Sequence, residues 1–385
     1  PTARGLRMAL GGHDRTFKSI KASYTETASS EAQPLASPDL FRRFYRYLLD
    51  AWLHVPDAYW TWERPAVKMA SDLIQRHQIP LVLTSALPYT SHRIGFRLKQ
   101  RLGVRWIADF RDPATHSHRM FSPFERVFLR QRRAENLAVQ HADAITVLAE
   151  SYALILTETY GLKDNSRIHF ISTGLDESLL ESPRENAHRL SSPYLVFVGE
   201  FLTSYDDSFF RIFSQVVRNP QVAQTGVKIL FIGREDVNGP LITPLARQYE
   251  LERFIEIIDH LPQEQLYNYI REARAGLLIP GRRALWWSLY AKLVDYIALQ
   301  KPVVAIVPNP SEARMHLERS GLGIFLDDQE RAAEQLTRFI LSDTDVPEVD
   351  VEYCKQFLVK SQVSAFIKVF EHVIESSQLR KFKSD

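Results

Sequence analysis

The chain has 385 residues, which is too long for one ordinary hydrophobic core and suits two α/β domains of roughly 150 to 200 residues each. Lys and Arg number 48 against 46 Asp and Glu, and the formal charge of +2 excludes a protein whose whole surface binds nucleic acid. No apolar run approaches the roughly 18 residues that cross a bilayer. The single cysteine, Cys354, excludes an internal disulfide and a thiolate metal cluster, so we expect a soluble, cytoplasmic protein.

The first half of the chain predicts a parallel sheet. From about residue 81 onward, short runs rich in Val and Ile alternate with amphipathic stretches, the pattern of repeated βα units. This predicts strands at residues 80–86, 104–110, 143–149 and 167–172, and helices at 89–102 and 123–141. The chain opens at Pro1 without a Met, and no strand precedes Gly5. We therefore expect the true N-terminus and a first strand to lie outside this sequence.

The same alternation begins again in the second half. Residues 176–192 are rich in Ser, Pro, Glu, Arg and Asn, a composition typical of a linker between domains. Beyond it we predict strands at 194–198, 227–232, 254–258, 276–279 and 302–307, helices at 208–217, 242–249, 262–273 and 289–299, and a long helical tail at 351–382. We therefore expect two Rossmann-like domains, at residues 1–180 and 190–350, followed by a helical tail at 351–385.

Two glycines mark predicted strand ends in the second domain. In open α/β sheets, ligands bind beyond the carboxyl ends of the strands, where the N-termini of helices favour an anion. Gly199 and Gly233 each follow a strand, and the missing Cβ lets the backbone approach a phosphate. A tight βα turn is the alternative interpretation of each glycine alone, whereas their equivalent positions favour a phosphate site.

The segment with the strongest chemical pattern is residues 288–304, SLYAKLVDYIALQKPVV. A helix there places Lys292 and Asp295 three residues apart on one face. A cation can bind a diphosphate, and a carboxylate can accept hydrogen bonds from both hydroxyls of a ribose. The residues alone also fit a surface ion pair one turn apart, so local chemistry leaves both interpretations open.

The same segment resembles a known family. The run from Lys292 through Asp295 to Val304 is similar to the K-x-x-E-Y-x-A-x-G-K-P-V element of glycosyltransferase family 4, a retaining family with the GT-B fold. The resemblance implies an α/β protein of two Rossmann-like domains, with parallel sheets that face across a cleft and a C-terminal helix that crosses back. It also implies that the first domain binds the acceptor and the second the donor, with Asp295 as the ribose-binding acid.

Further stretches resemble polysaccharide-building members of that family, in the same order along the chain. The family elements are PD…W, S-x-P-P, W-x-A-D-F-R-D-P-W, AD-x-I-T and N-G-x-D. The residues that match them are Pro56-Asp57 with Trp60 or Trp62, then residues 84–88, 106–113, 142–146 and 173–176. The resemblance therefore spans roughly residues 56 to 308.

The donor site departs from the family pattern at two places. The family has a Glu eight residues before the ribose acid, where this chain has Trp287. The family also commonly has Arg and Lys after the first strand of the second domain, where this chain has Gly199-Glu200. We expect the diphosphate charge to be met instead by cations elsewhere, and the candidates are Lys292, Arg234, Arg282 and Arg283. The resemblance implies no metal ion, and no cofactor besides the nucleotide sugar that serves as donor.

Three residues of the first domain are candidates for the acceptor side and for catalysis: Asp112, Arg111 and His92. The alternative for Asp112 and Arg111 is a buried ion pair that fixes the loop. The alternative for His92 is a simple helix N-terminal residue.

Residues 117–133 form a basic amphipathic stretch. Arginines at positions 119, 126, 130, 132 and 133 stand against the single Glu125, with apolar residues between them. Such a helix can rest on anionic lipid headgroups, which would bring the protein to the inner face of a membrane. A solvated helix face over an ordinary core is the alternative.

Residues and resemblance together predict a glycosyltransferase of the hexosyltransferase type. It moves a sugar from a nucleoside diphosphate sugar to a glycan, lipid-linked or protein acceptor, without a metal ion and with retention, in polysaccharide biosynthesis. One alternative is a catalytically silent GT-B-like binding or scaffold protein, and another is a nucleotide-sugar epimerase, because a fold does not dictate its reaction.

Overall fold

The computed structural model describes residues 57–112, 125–180, 192–282, 285–328, 330–342 and 348–381, with Tyr45 and His116 as single residues. Predictions on Pro56, Pro113, Arg283, most of the N-terminal segment and residues 117–124 lie outside these ranges. The chain divides into two units. We call residues 57–172 with 363–381 the N-terminal unit, and residues 173–362 the C-terminal unit.

The N-terminal unit contains a parallel sheet in the order β1-β2-β3-β4. Its elements follow a short 3-10 helix (Trp60–Trp62) and are α1 (Glu63–His77), β1 (Leu81–Ala86), α2 (Thr90–Leu102), β2 (Arg105–Phe110), α3 (Glu125–His141), β3 (Ala144–Val147), α4 (Glu150–Thr159) and β4 (Ile168–Phe170). Strand β2 is buried from Trp106 to Phe110, as expected of a parallel strand covered on both faces. The predicted strands are confirmed, whereas α1 and α4 were not predicted.

The C-terminal unit contains a parallel six-stranded sheet in the order β10-β9-β8-β5-β6-β7. Its elements follow a short 3-10 helix (Glu177–Leu180) and are β5 (Tyr194–Val198), α5 (Ser208–Val216), α6 (Pro220–Thr225), β6 (Lys228–Ile232), α7 (Glu235–Gln248), β7 (Ile255–Ile258), α8 (Gln263–Glu272), β8 (Ala275–Leu278), α9 (Ala291–Ala298), β9 (Val303–Ala305), α10 (Glu312–Ser320), β10 (Gly323–Phe325), α11 (Ala332–Leu341) and α12 (Val351–Lys355). The chain adds strands outward from β5 on one side and then from β8 on the other. The winding therefore reverses between β5 and β8, where doubly wound sheets bind ligands.

Helix α9 is pinned to this switch point by one aromatic residue. The ring of Tyr296 occupies the space that a Cβ on Gly276 of β8 would need, since that atom would lie 2.6 Å from the ring. The Tyr296 hydroxyl also donates a hydrogen bond of 3.0 Å to the carbonyl of Val196 in β5. Both strands thus fix the helix that carries Lys292 and Asp295.

Two helix boundaries differ from the sequence prediction. The helix predicted at 242–249 begins seven residues earlier, at Glu235, and contains Pro240 and Pro244. Prolines usually mark a helix end, but here the acidic residues Glu235 and Asp236 occupy the first turn and favour the helix N-terminus. The predicted single tail is interrupted after α12, where Leu358 forms a parallel bridge with Leu175.

The last helix, α13 (Val359–Lys381), contributes to the core of the N-terminal unit. Its buried residues Val369 and Val373 pack against Ile107, Ala144 and Ile171 of the four-stranded sheet region. Within the described ranges, no helix is both long and apolar enough to span a membrane.

Candidate functional site

The turns that follow β5 and β8 meet at the switch point of the six-stranded sheet. Gly199 has a φ of 92° and Gly281 a φ of 93°, which glycine adopts without strain. A Cβ on Gly281 would lie 2.3 Å from Oδ2 of Asp206, so a carboxylate of the β5 loop packs directly against the β8 turn. The backbone conformation favours glycine at both positions, and at Gly281 the close approach of Asp206 also requires it.

Gly233, the other predicted glycine, lies directly beside Gly199. A Cβ on Gly233 would lie 2.5 Å from the carbonyl oxygen of Gly199. That carbonyl accepts a hydrogen bond of 3.1 Å from the buried amide of Asn238, whose Oδ1 accepts one of 2.8 Å from the N–H of Phe201. Asn238 therefore fixes the turn after β5. Asn238 was not predicted as a site residue, because it lies inside α7 rather than at a strand end.

Lys292 extends from α9 to the end of β5. Its Nζ lies 3.4 Å from the ring centroid of Phe197 and 5.9 Å from that of Tyr205, and it would be 3.9 Å from a Cβ on Gly199. In the described part of the chain, the amine forms no hydrogen bond and no ion pair. Burial lowers the pKa of Lys292 from 10.5 to about 7. The structure thus holds a cation against two ring faces without a counter-ion, which suits an anionic ligand.

Asp295, one turn further along α9, is a half-buried carboxylate with one weak partner. The hydroxyl of Tyr267 in α8 lies 3.4 Å from its Oδ1 and itself accepts a hydrogen bond of 2.5 Å from the amide of Gln263. Burial raises the pKa of Asp295 to about 6, and burial together with the nearby carboxylate raises that of Tyr267 to about 12. Lys292 is not among the partners of Asp295. The surface ion pair that the sequence left open is therefore absent from the described chain.

Two of the other predicted cations, Arg234 and Arg282, already have partners within the C-terminal unit. Arg234 is exposed and pairs with Asp236 at 2.7 Å and with Glu200 at 3.6 Å, and the Asp236 carboxylate raises its pKa. Arg282 donates to the backbone carbonyls of Leu326, at 3.0 Å, and of Asp327. Arg283 lies outside the described residues. Lys292 is thus the one predicted cation of the described chain whose charge has no acceptor.

Trp287 occupies the position at which the resemblance would place a Glu. Its side chain is buried, and the neighbouring carbonyl of Trp286 accepts a hydrogen bond of 2.7 Å from the N–H of Glu312. Trp287 therefore packs in the core of the C-terminal unit.

In the N-terminal unit, a buried carboxylate collects the polar groups at the strand ends. The register places Asp109 of β2 between Ser85 of β1 and Thr146 of β3. Asp109 accepts hydrogen bonds of 2.7 Å from each of these hydroxyls and one of 2.8 Å from Nε of Arg111. Asp109 belongs to the motif at residues 106–113, but this role was not predicted from the sequence.

Arg111 and Asp112, two of the predicted catalytic residues, follow β2 and do not pair with each other. The alternative interpretation expected an ion pair between Arg111 and Asp112. Arg111 instead forms an ion pair with Asp109. The Asp112 carboxylate accepts a hydrogen bond of 3.3 Å from Tyr152, and its backbone carbonyl accepts one from Tyr89. Both side chains remain half-buried at the sheet edge.

His92, the third predicted catalytic residue, lies in the core rather than at the sheet edge. It is fully buried, shares a hydrogen bond of 2.9 Å with Thr84 and lies 4.7 Å from the ring of Phe110. Thr84 also accepts a hydrogen bond of 2.8 Å from the indole of Trp106. Burial lowers the pKa of His92 to about 3, so the ring is neutral. In this position His92 cannot touch an acceptor, and the geometry gives it a packing role.

The described residues contain no group of three or more His, Cys, Asp or Glu side chains that could hold a metal ion. Independence from metal stays a prediction, because other parts of the chain and the ligand itself can contribute oxygen atoms.

No protein-family model matches the sequence, and no curated protein matches it. Solved structures do match. The Anabaena protein HepE, in complex with UDP, is 15% identical with a TM-score of 0.58, and the match covers 80% of this chain and 82% of that one. The UDP-forming α,α-trehalose-phosphate synthase from Burkholderia vietnamiensis is 13% identical with a TM-score of 0.57, covering 94% and 83%.

A third match carries a different name. The N-terminal domain of trehalose-6-phosphate phosphatase from Candida albicans is 12% identical with a TM-score of 0.56, covering 93% of this chain and 88% of that one. At such identities the similarity is one of fold. Two parallel sheets of four and six strands with flanking helices match those of GT-B glycosyltransferases, which confirms the predicted α/β GT-B fold class.

Proposed function

We propose that this chain is a glycosyltransferase that takes its sugar from a nucleoside diphosphate sugar bound to the C-terminal unit. The observation that carries the proposal is the Lys292 ammonium, which lies at the switch point, half-buried against the ring of Phe197 and without an anionic partner among the described residues. A buried cation without a partner costs free energy, and a diphosphate would supply the missing negative charge. The turn at Gly199 lets the phosphate approach the backbone beside it.

Asp295 would hold the ribose of the same nucleotide. It lies one turn from Lys292, so a ligand that contacts both spans about 5 Å, the rise of a helical turn. A carboxylate can accept hydrogen bonds from two adjacent hydroxyls, and Asp295 has one weak internal donor to displace. Burial raises the pKa of Asp295 and so disfavours its ionised form. Two hydroxyl groups of a bound ribose would donate hydrogen bonds to the carboxylate and favour the ionised form again.

Sugar transfer then uses the same cation. As the bond between the anomeric carbon and the diphosphate breaks, negative charge grows on the leaving oxygen, and a fixed ammonium stabilises it without reorganisation. Lys292 would carry this step in place of the Arg and Lys that the family has after its corresponding strand. The family resemblance supports a retaining reaction without a metal ion, in which the leaving phosphate helps to deprotonate the acceptor.

The acceptor is proposed to be a glycan, a lipid-linked sugar or a protein, bound by the N-terminal unit near Asp112 and Arg111. Both are half-buried at the carboxyl edge of the four-stranded sheet. The basic face of α3 supports work on a cytoplasmic membrane surface, as a peripheral protein. UDP is the first nucleotide to test. HepE was solved in complex with UDP, and the trehalose-phosphate synthase is described as UDP-forming.

Calorimetry with UDP, GDP and ADP tests the donor site. We expect one nucleotide to bind, and Lys292→Met to weaken it at least about tenfold because a charge-assisted contact is lost. The matched control is Lys228→Met, which removes the same charge at the opposite end of the same sheet, where Lys228 donates to the carbonyl of Arg253. Equal losses in both variants, or no binding of any nucleotide, would exclude the proposed site.

A catalytically silent binding or scaffold protein is the second candidate. Trp287 is buried where the family has a sugar-binding Glu, and Arg234 is neutralised by Asp236. This candidate predicts nucleotide binding without release of UDP from any sugar donor, or no binding at all. An epimerase, the remaining alternative, would instead convert the donor without an acceptor, which chromatography of the products detects.

A further inference from the structure

Helices α2 and α3 of the N-terminal unit enclose a groove of about 390 Å³ that is rich in arginine. Arg93 and Arg97 line it from α2, and Arg130 and Arg133 line it from α3. Their spacings of four and three residues place each pair on one face of its helix. Apolar lining comes from α2 and α3 as well, through Phe96, Ala134 and Leu137. The groove is therefore both cationic and apolar.

The two groove arginines of α2 share one carboxylate and keep unused N–H donors. The carboxylate of Glu63 in α1 contacts Nε of Arg93 at 2.7 Å and Nε of Arg97 at 3.2 Å. Both contacts use Nε, and the terminal Nη groups of these two arginines form no hydrogen bond within the described chain. Because one carboxylate serves two guanidiniums, one positive charge is left over.

Arg133 of α3 adds to this charge. Arg133 is exposed and has neither an ion pair nor a hydrogen bond within the described ranges. It also lines a second groove of about 430 Å³, on the other side of α3. There Arg132 lies 5.9 Å from the ring centroid of Tyr160 and donates to the carbonyl of Thr159 at 3.2 Å. Leu129, which lines the second groove, is 41% exposed.

We propose that the groove between α2 and α3 binds an organic phosphate ester. The planar guanidinium fork matches two phosphate oxygens at once, and Arg93, Arg97 and Arg133 have unused N–H groups for that purpose. Phe96 and Leu137 provide an apolar surface for the carbon chain attached to the phosphate. Such a ligand is a phospholipid headgroup or a soluble phosphate ester. As the anchor for a lipid-linked acceptor the groove rests on the proposed transferase function, whereas phosphate binding itself does not.

The test compares two double variants of the full chain. Arg130→Gln with Arg133→Gln removes two charges from the groove. Arg218→Gln with Arg253→Gln removes two charges from a cavity of about 550 Å³ in the C-terminal unit and is the matched control. One arm measures cosedimentation with phosphatidylcholine vesicles with and without phosphatidylglycerol. The other arm is a calorimetric titration with glycerol 3-phosphate.

We expect the groove variant to lose about thirtyfold in affinity for anionic vesicles, from two surface charges, while the control stays within about threefold of wild type. If glycerol 3-phosphate binding is lost instead and vesicles never bind, the groove takes a soluble phosphate ester, which also supports the proposal. Equal loss in both variants, unchanged binding in the groove variant, or no wild-type binding in either arm would overturn it. UDP titration of the same samples separates the two proposals, because the groove variant should keep its UDP affinity whether or not vesicles bind.

Discussion

The carboxyl ends of the two sheets both carry charged side chains that are at least half-buried, but the partners of those charges differ. In the N-terminal unit, buried Asp109 accepts three hydrogen bonds of 2.7 to 2.8 Å, one of them from a guanidinium. In the C-terminal unit, Lys292 has no ionic partner in the described chain, and Asp295 has one partner at 3.4 Å. The first set of contacts stabilises the fold. The second set leaves binding capacity unused, which is what a ligand site requires.

The largest effect is expected from removing Asp109, which accepts all three hydrogen bonds of the buried network. Asp109→Ala leaves two buried hydroxyls and a guanidinium without their acceptor, so we expect the free energy of unfolding to fall by about 3 kcal/mol. Urea denaturation at pH 7 measures it, with Asp112→Ala as the control in the following loop, where the loss should stay near 1 kcal/mol. Similar losses in the two variants would mean that Asp109 is not the structural acid.

The next effect has the opposite sign. Lys292→Met should raise the free energy of unfolding of the ligand-free protein by about 2 kcal/mol at pH 6, because the wild-type amine is charged but desolvated. The folded pKa of about 7 lies below the usual 10.5, so the penalty is full below pH 7 and disappears as the pH rises toward 10.5. Denaturation curves from pH 6 to 10 would test this, and a variant less stable than wild type at pH 6 would contradict it.

Asp295→Asn should stabilise the ligand-free protein by a smaller amount, about 1 kcal/mol at pH 8. The folded pKa of about 6 lies above the usual 3.8, so the wild-type penalty is full above pH 6 and vanishes as the pH falls toward 4. The same substitution should weaken nucleotide binding at pH 8, where wild-type Asp295 is ionised. A gain in stability without a loss of affinity would separate Asp295 from the site.

The smallest expected effect concerns Tyr267, a neighbour of Asp295 that was not predicted from the sequence. Tyr267→Phe removes the only side-chain donor to Asp295 in the described chain, so the pKa of Asp295 should rise further. Nucleotide affinity should then fall a few-fold at pH 7 and recover toward pH 8.5. Tyr269→Phe, two residues along the same helix, is the control and should leave the pH profile unchanged. A loss that is constant with pH would indicate packing instead.

The architecture could be predicted because parallel strands buried on both faces read as continuous apolar runs. Residues 194–198 and 227–232 show this pattern, and the glycines that follow them lie beside each other. The helix that carries Lys292 and Asp295 was also predicted, whereas their donor-binding roles stay predictions. Helices α1 and α4 were not predicted. The predicted α7 was too short, because its two prolines are typical of a helix end.

What the sequence could not decide was which charges remain free. Arg234 is captured by Asp236, two residues away, but Arg282 binds carbonyls more than forty residues further on, at the end of β10. His92 lies in the first turn of α2, as the helix N-terminal interpretation predicted, but only the packing of Thr84, Trp106 and Phe110 around it shows that it is buried. Partners distant along the chain decide whether a polar residue is available, and single-sequence patterns do not contain them.

The position of α13 has a consequence for how the protein is made. The four described strands of the N-terminal unit have been synthesised once residue 170 is reached, yet Val369 and Val373, which pack on them, are translated some two hundred residues later. Until they leave the ribosome, an apolar surface beside Ile107 and Ala144 stays uncovered. Nascent chains stalled or truncated before α13 should therefore hold a folded second half and an unfinished first half, which chaperones would recognise.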